Sequence, residues 1–144
     1  MKTIKQVLDH KGYQIHSVAP GTTVYEALQK MAQEGIGALV VLDDRELAGI
    51  VSERDYARKV ILKGRHSRDT PVRDIMTKNV ICVGSDLGID ASMSIMIDKH
   101  VRHLVVRDDG RITGVISIGD VVKAIIDDQQ FTIEQLEHYI SGRG

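Results

Sequence analysis

Gly49-Ile50-Val51-Ser52-Glu53-Arg54-Asp55 closes an apolar run and opens a polar, helix-like one. The arrangement returns as Gly114-Val115-Ile116-Ser117-Ile118-Gly119-Asp120. Each copy reads as a strand ending on a serine cap, with an acid three positions on. In that capping-box-like spacing the hydroxyl accepts from an amide of the first turn while the acid reaches back to the cap. A helix start also gathers unpaired N–H groups and the positive end of the helix dipole, so it suits phosphate or another anion. An ordinary cap and a phosphate-facing helix start use the same residues. One copy alone favours the ordinary cap; two copies shift the balance.

Outward from the motif, the two halves superimpose without a gap when the sequence is shifted so that Ile15 meets Val80 and Ile61 meets Ile126. Val18/Val83, Met31/Met96, Leu39-Val40-Val41/Leu104-Val105-Val106, Asp43-Asp44/Asp108-Asp109, Gly49/Gly114, Ser52/Ser117 and Asp55/Asp120 are identical pairs. Such self-similarity is an internal duplication. Each half reads as strand, helix, strand, strand, helix. In the first half these are Ile15 to Val18, a helix capped by Thr22-Thr23 and ended by Gly35, Ala38 to Leu42, Leu47 to Val51, and a helix from Ser52 to about Leu62. Val24, Ala27, Leu28 and Met31 fall at helical spacing, and Glu26 stands where a capping box needs it. Thr3 to Leu8 predicts a lead-in helix. Thr70-Pro71 predicts a second, Val72 to Met76, with Pro at the first helical position. Gly64 to Thr70 reads as a linker, and Thr132 as the cap of a last helix carrying Ile133, Leu136, Tyr139 and Ile140.

The predicted organisation is an α/β (α+β) chain. Residues 1–64 form one β-α-β-β-α repeat with its lead-in helix, 65–128 form a second, and 129–144 form a C-terminal amphipathic helix or tail. A unit of about 60 residues buries little apolar surface alone, so the repeats are expected to pack sheet to sheet about a pseudo-twofold axis. Val40, Ile50, Val105 and Val115 mark the expected meeting face. Two equivalent clefts should then form at the Ser52 and Ser117 helix starts. The apolar content of the second-half helix (Ile89, Met93, Ile95, Met96, Ile97) and of the tail points to a homodimer.

Composition narrows the function. The 144 residues carry a formal net charge of −1, no Trp and a single Phe, which ranks nucleic-acid binding last. Cys82 stands alone, consistent with a reducing compartment, and reads as buried filler in a strand. No apolar run approaches the ~20 residues of a membrane span, and the start lacks an apolar signal segment. A soluble cytoplasmic protein without a membrane partner is the expectation.

Two Gly-apolar-x-Ser-x-x-Asp motifs at the strand-to-helix step, each closing the same five-element unit, resemble the tandem CBS-domain family, whose pairs are often called Bateman modules. Asp74-Ile75-Met76-Thr77 and Arg102-His103-Leu104-Val105-Val106 are also typical of that family. The resemblance covers nearly the whole chain except the tail helix. It implies binding of an adenosine-containing ligand (AMP, ADP or ATP, with NAD or S-adenosylmethionine as alternatives) between the repeats, in a regulatory rather than catalytic role. Carried over residue by residue, Asp55 and Asp120 take the ribose hydroxyls. Ser52 and Ser117 face phosphate or ribose, although Thr is often found there in the family. Ile50 and Val115 flank the adenine. The resemblance further implies that a basic pair at the start of the other half's middle strand meets the phosphates. The matching residues are Arg102-His103 in the second half but Gly37-Ala38 in the first.

A nucleotide at Asp55 would thus have Arg54, Arg102 and His103, whereas one at Asp120 would find Gly119 and Gly37-Ala38, with little fixed positive charge. The Asp55 site is expected to prefer the charged nucleotide. Arg58 and Lys59 read as a solvated helix face. His100 and His103 read as diverging on a strand, so no metal site is expected. The paired acids at 43–44 and 108–109 read as turn residues. A nucleotide-hydrolysing enzyme is the weaker alternative, because neither a nucleophile–base pair nor a Walker-type loop is visible. A dimerisation module with vestigial ligand sites is another. No effector domain is visible in the sequence, so signalling is expected to pass, through a conformational or oligomeric change, to a regulated protein partner.

Overall fold

The computed structural model describes residues 2–141; the last three positions of the predicted tail lie outside the described residues. The chain divides into two compact units. One is Ile15–Val80, and the other joins the chain up to Gln14 with everything from Ile81 on. In the first unit, β1 (Ser17–Val18) lies parallel to β2 (Ala38–Asp43), which pairs antiparallel with β3 (Glu46–Ser52). In the second, β4 (Cys82–Val83), β5 (His103–Asp108) and β6 (Arg111–Ser117) repeat that order. The duplication extends to the register: Val40↔Ile50 and Val41↔Gly49 become Val105↔Val115 and Val106↔Gly114, and the ladder shifts after Val41 and again after Val106. The hairpins also match. Asp44 and Arg45 have φ of 49° and 71°, and Asp109 and Gly110 have 50° and 76°, the paired positive φ of a tight two-residue hairpin loop.

Helices α2 (Val24–Glu34) and α4 (Ile89–Lys99) occupy the same place in the two units. Gly35 ends α2 in the left-handed region and His100 ends α4 there, so His100 is a helix cap and β5 begins only at His103. The Thr23 box is half formed. The hydroxyl accepts from the Glu26 amide, but the Glu26 carboxylate accepts from that hydroxyl and not from the cap backbone. Each core is apolar: Leu39, Val41 and Val51 pack with Val24, Met31 and Val60, and Leu104, Val106 and Ile116 pack with Ile89, Met96 and Val121. Val40 and Val105 are buried as well, and Ile50 and Val115 half-buried.

The lead-in segments distinguish spatial units from sequence repeats. Helix α1 (Ile4–Lys11) places Ile4, Val7 and Leu8 in the core of the second repeat. Its entry is tied there by Ile4 N–H to the Leu87 carbonyl at 2.9 Å and Ile89 N–H to the Lys2 carbonyl at 3.0 Å. Residues Val72 and Ile75 fill the core of the first repeat, with Val24 N–H donating to the Thr70 carbonyl and Val72 N–H to the Thr22 carbonyl, both at 2.8 Å. Each lead-in thereby closes the amide-bearing start of α2 or α4 with backbone carbonyls.

Three local expectations change. Residues 72–74 form a single 3-10 turn, not a helix to Met76, and Pro71 is its extended N-cap with ψ 150°; the Thr70 hydroxyl donates to the His66 carbonyl instead of capping it. Thr132 starts no new helix. Helix α5 runs unbroken from Ile118 to Ile140, and the Thr132 hydroxyl donates to the Asp128 carbonyl one turn back. Cys82 is exposed, because the two-residue β4 turns that position outward.

The lead-ins also explain the motif glycines. A Cβ on Gly49 would stand 2.7 Å from the Thr77 carbonyl oxygen and 2.8 Å from Met76 Sδ; one on Gly114 would stand 2.9 Å from the δ-carbons of Leu8. A backbone carbonyl yields less readily than the tip of a leucine. Gly49→Ala is therefore expected to cost ~1–3 kcal/mol of overpacking strain and Gly114→Ala less. Urea denaturation of the two variants checks the order, and an equal or reversed order would contradict it.

Candidate functional site

Both strand-to-helix steps form complete capping boxes. Ser52 caps α3 (Glu53–Tyr56): its amide donates to Asp55 Oδ2 at 2.9 Å, its hydroxyl donates to the same oxygen at 3.1 Å, and that hydroxyl accepts from the Asp55 amide at 3.2 Å. Ser117 caps α5 in the same way, its amide 2.8 Å from Asp120 Oδ2 and its hydroxyl 3.1 Å from the Asp120 amide. The remaining amides are mostly spoken for. Glu53 N–H donates to the Gly37 carbonyl at 3.0 Å and Ile118 N–H to the Arg102 carbonyl at 2.8 Å. A helix start that looks amide-rich in sequence thus has its first and third amides engaged within the fold.

The two helices then diverge. After Tyr56 the first widens into a π-helix, Ala57–Ile61, where the Leu62 amide donates to the Ala57 carbonyl at 3.2 Å. Such widenings recur at functional sites. Helix α5 continues as an ordinary α-helix.

Each acid meets a lysine that sequence spacing did not single out. Lys59, expected to be part of a solvated face, places Nζ 3.0 Å from Asp55 Oδ1 and 2.8 Å from the Ile75 carbonyl. Lys11, at the end of α1, places Nζ 2.6 Å from Asp120 Oδ2 and 2.9 Å from the Val115 carbonyl. The expectation of little fixed positive charge beside Asp120 is therefore corrected. The cation comes from the lead-in helix, 109 positions away, and no local pattern could signal it. Asp55 is the more enclosed of the two acids, with its side chain 13% exposed against 23% for Asp120. Both lysine side chains remain substantially exposed, and pairs of that kind are worth on the order of 0.2–1 kcal/mol.

Burial by itself would raise the Asp120 carboxyl, but the Lys11 hydrogen bond, the Ser117 amide and the Lys11 charge outweigh it and hold the group below its usual range. His103 is pushed below the ordinary histidine value, first by burial and then by the Lys11 charge, with Asp120 opposing and Arg102 adding to the depression. His103 and Arg102 belong to the unit that carries Asp120. Arg102 is exposed, and Arg54 and Asp55 are half-buried in the other unit. Ile50 and Val115 lie two positions before their serines on β3 and β6. An apolar cavity of about 330 Å³ adjoins the start of α3, lined by Leu28, Met31, Ile36, Gly37 and Glu53 among others; none of the motif acids or serines lines it. Among the described residues no group of three or more His, Cys, Asp or Glu is placed to hold a metal, and no helix is long and apolar enough to cross a membrane.

A three-stranded unit whose last strand hands a capping serine and an acid to the next helix thus occurs twice in the chain. The family model for the CBS domain matches residues 4–62 and 72–127, and the chain belongs to the CBS-domain family as a pair of such domains. The family match assigns each lead-in to the repeat that follows it in sequence, whereas the compact units assign it by packing. The mitochondrial CBS domain-containing protein CBSX3 of Arabidopsis thaliana is 42% identical over 125 residues, which make up 83% of this chain and 61% of that protein. The chain thus spans about three-fifths of the length of that relative. A protein with CBS domains from Burkholderia ambifaria is 47% identical, with a TM-score of 0.86 over 92% of this chain and 99% of its own. The CBS domain pair of MJ0100, solved in complex with 5′-methylthioadenosine and S-adenosyl-L-methionine, shares the fold at 22% identity, with a TM-score of 0.78 over 89% of this chain and 98% of its own.

The Lys11–Asp120–His103 arrangement has a titration signature. Because the folded His103 value is depressed, the unfolded chain binds the proton first as pH falls, so this group's contribution to stability declines as pH drops through the ordinary histidine range. Lys11→Met removes a cation that lowers His103 and uncovers an anion that raises it. The His103 midpoint, followed by NMR, is expected below that of a free histidine in the wild type and higher in the variant. A midpoint that does not move would show that the ammonium is not beside the ring.

Proposed function

We propose that this CBS-domain pair is a regulatory protein that binds adenosine-containing ligands and passes the signal on through a conformational or oligomeric change. The observation that carries the reading is the matched pair of half-buried carboxylates, each held by the amide of its own capping serine at the third position of a helix. A carboxylate offers about four acceptor positions, so one anchored in this way can still accept from the adjacent hydroxyls of a ribose. In this reading Asp55 and Asp120 take the diol, Ser52 and Ser117 face ribose or phosphate, and Ile50 and Val115 flank the base. Arg54, Arg102 and His103 supply donors and charge to phosphate. AMP, ADP and ATP head the ligand class, with NAD and S-adenosylmethionine as alternatives; the ligands of the MJ0100 pair are both adenosyl compounds. An adenylate ligand would make the protein a cytoplasmic sensor of energy state, acting on a separate protein partner and without catalysis.

Calorimetry with these five compounds tests the reading. At least one is expected to bind, and Asp55→Ala or Asp120→Ala to weaken it about 10- to 100-fold at the affected site, as the loss of charge-assisted hydrogen bonds implies. A thermal-shift response that stays flat with all five would favour a module whose ligand sites are vestigial. Product formed from ATP and Mg²⁺ by the purified protein would favour a hydrolase.

A homodimer forms part of the same proposal. Val122, Ile126, Ile133, Leu136 and Ile140 recur at helical spacing along one face of α5, all exposed, and Ile97 of α4 is exposed too. An apolar stripe of that length fits a second copy of the same helix. Leu136→Glu is expected to convert a dimer into a monomer in sedimentation equilibrium; an unchanged mass would exclude this face as the interface.

A further inference from the structure

We propose that Lys11 is the specificity-determining residue of the Asp120 half-site, favouring ligands that carry phosphate over neutral nucleosides. The proposal rests on the ribose-binding reading of Asp120 given above. Asp120 Oδ2 already accepts from the Ser117 amide at 2.8 Å and from the Lys11 ammonium at 2.6 Å, which fills that oxygen's two acceptor positions. A diol that spans both carboxylate oxygens needs the position Lys11 holds. The same ammonium covers the Val115 carbonyl at 2.9 Å, on the strand residue that precedes the motif serine by two. A nucleoside whose diol spans both oxygens of Asp120 therefore displaces Lys11 from Oδ2, and the ammonium that leaves is the one that also holds the Val115 carbonyl.

The consequence of that displacement differs between ligands. A neutral nucleoside offers the displaced ammonium nothing, so the lost contacts subtract from its affinity. A phosphorylated one offers an anion to a cation on a flexible four-carbon stem, already at the site and 39% exposed, so little desolvation opposes the move. The ammonium at Asp55 differs in origin, since Lys59 stands four residues along the same chain segment and also holds the Ile75 carbonyl at 2.8 Å. Lys11 instead reaches its acid from the lead-in helix, which also packs Leu8 against Gly114. A change in Lys11 partner is thus felt by the helix that completes this unit's core.

The test uses the Asp55→Ala protein, which isolates the Asp120 half-site, and titrates it with adenosine and with AMP by calorimetry. Lys11→Met and Lys11→Gln are then compared in that background, with thermal melts to establish folding. Gln keeps hydrogen-bonding capacity without charge, so it serves if Met disturbs α1. The expected result is a rise in adenosine affinity of several-fold and a fall in the AMP-to-adenosine affinity ratio of about tenfold or more, the size of one lost charge-assisted phosphate contact. An unchanged ratio, or a parallel loss for both ligands, makes Lys11 a structural tether and overturns the proposal. Binding that is present in the unmutated protein but absent from Asp55→Ala overturns it as well, while leaving the adenosyl reading in place. Absence of any adenosyl binding to the unmutated protein removes that reading, and the proposal with it.

Discussion

The carboxylates of Asp55 and Asp120 are each bound by two opposed demands. One oxygen must hold the amide of the capping serine, or the strand does not turn into its helix with its first amides satisfied. The remaining acceptor capacity is what the proposed ligand would use. A cap of this kind fixes the acid's orientation before any ligand arrives, because the serine amide belongs to a strand already paired to its neighbour. In the proposed reading, ligand binding and local folding share a single side chain in each repeat; the cap alone does not demand an acid, since the neutral Gln6 completes the same box at Thr3.

Around that constraint, the lead-in segments supply what the repeats lack. A three-stranded sheet with one helix on its face leaves the start of that helix and the edge of its core open. In each unit the gap is closed by a segment from elsewhere in the chain: α1 for the second repeat, the 3-10 turn after Pro71 for the first. Both approach so closely that the last strand carries a glycine beneath them. Packing and charge arrive together in α1, since the helix that buries Ile4 and Leu8 also ends on Lys11.

The repeats nevertheless differ where their chemistry would be expected to match. The acid of the first is paired within its own helix region, which widens into a π-helix; the acid of the second is paired from a distance, and its helix stays regular for 23 residues. Duplicated sequence has kept the cap and the ladder register while letting the cations diverge. His103 registers this, since its proton affinity responds to Lys11, Asp120 and Arg102 together.

Much of the architecture was legible from residue patterns because its causes are local. Apolar spacing marked α2, continuous β-branched runs marked β2 and β5, and Ser-x-x-Asp marked the caps, each within a few residues of chain. Errors arose where a local signal had a stronger competitor. Thr132 resembles a cap, yet nothing around it breaks the helix and its hydroxyl bonds one turn back. Pro71 suits a first helical position, but backbone bonds to the first repeat hold it extended. Cys82 looked like strand filler, and a two-residue strand turned it outward. The amino-acid sequence alone determined the duplicated unit, its strand-to-helix steps and the two acids, since contacts three residues apart leave a readable spacing. The tertiary structure alone decided which repeat each lead-in completes and which ammonium meets Asp120, because residues 109 positions apart leave no spacing to read and meet only when the chain has packed.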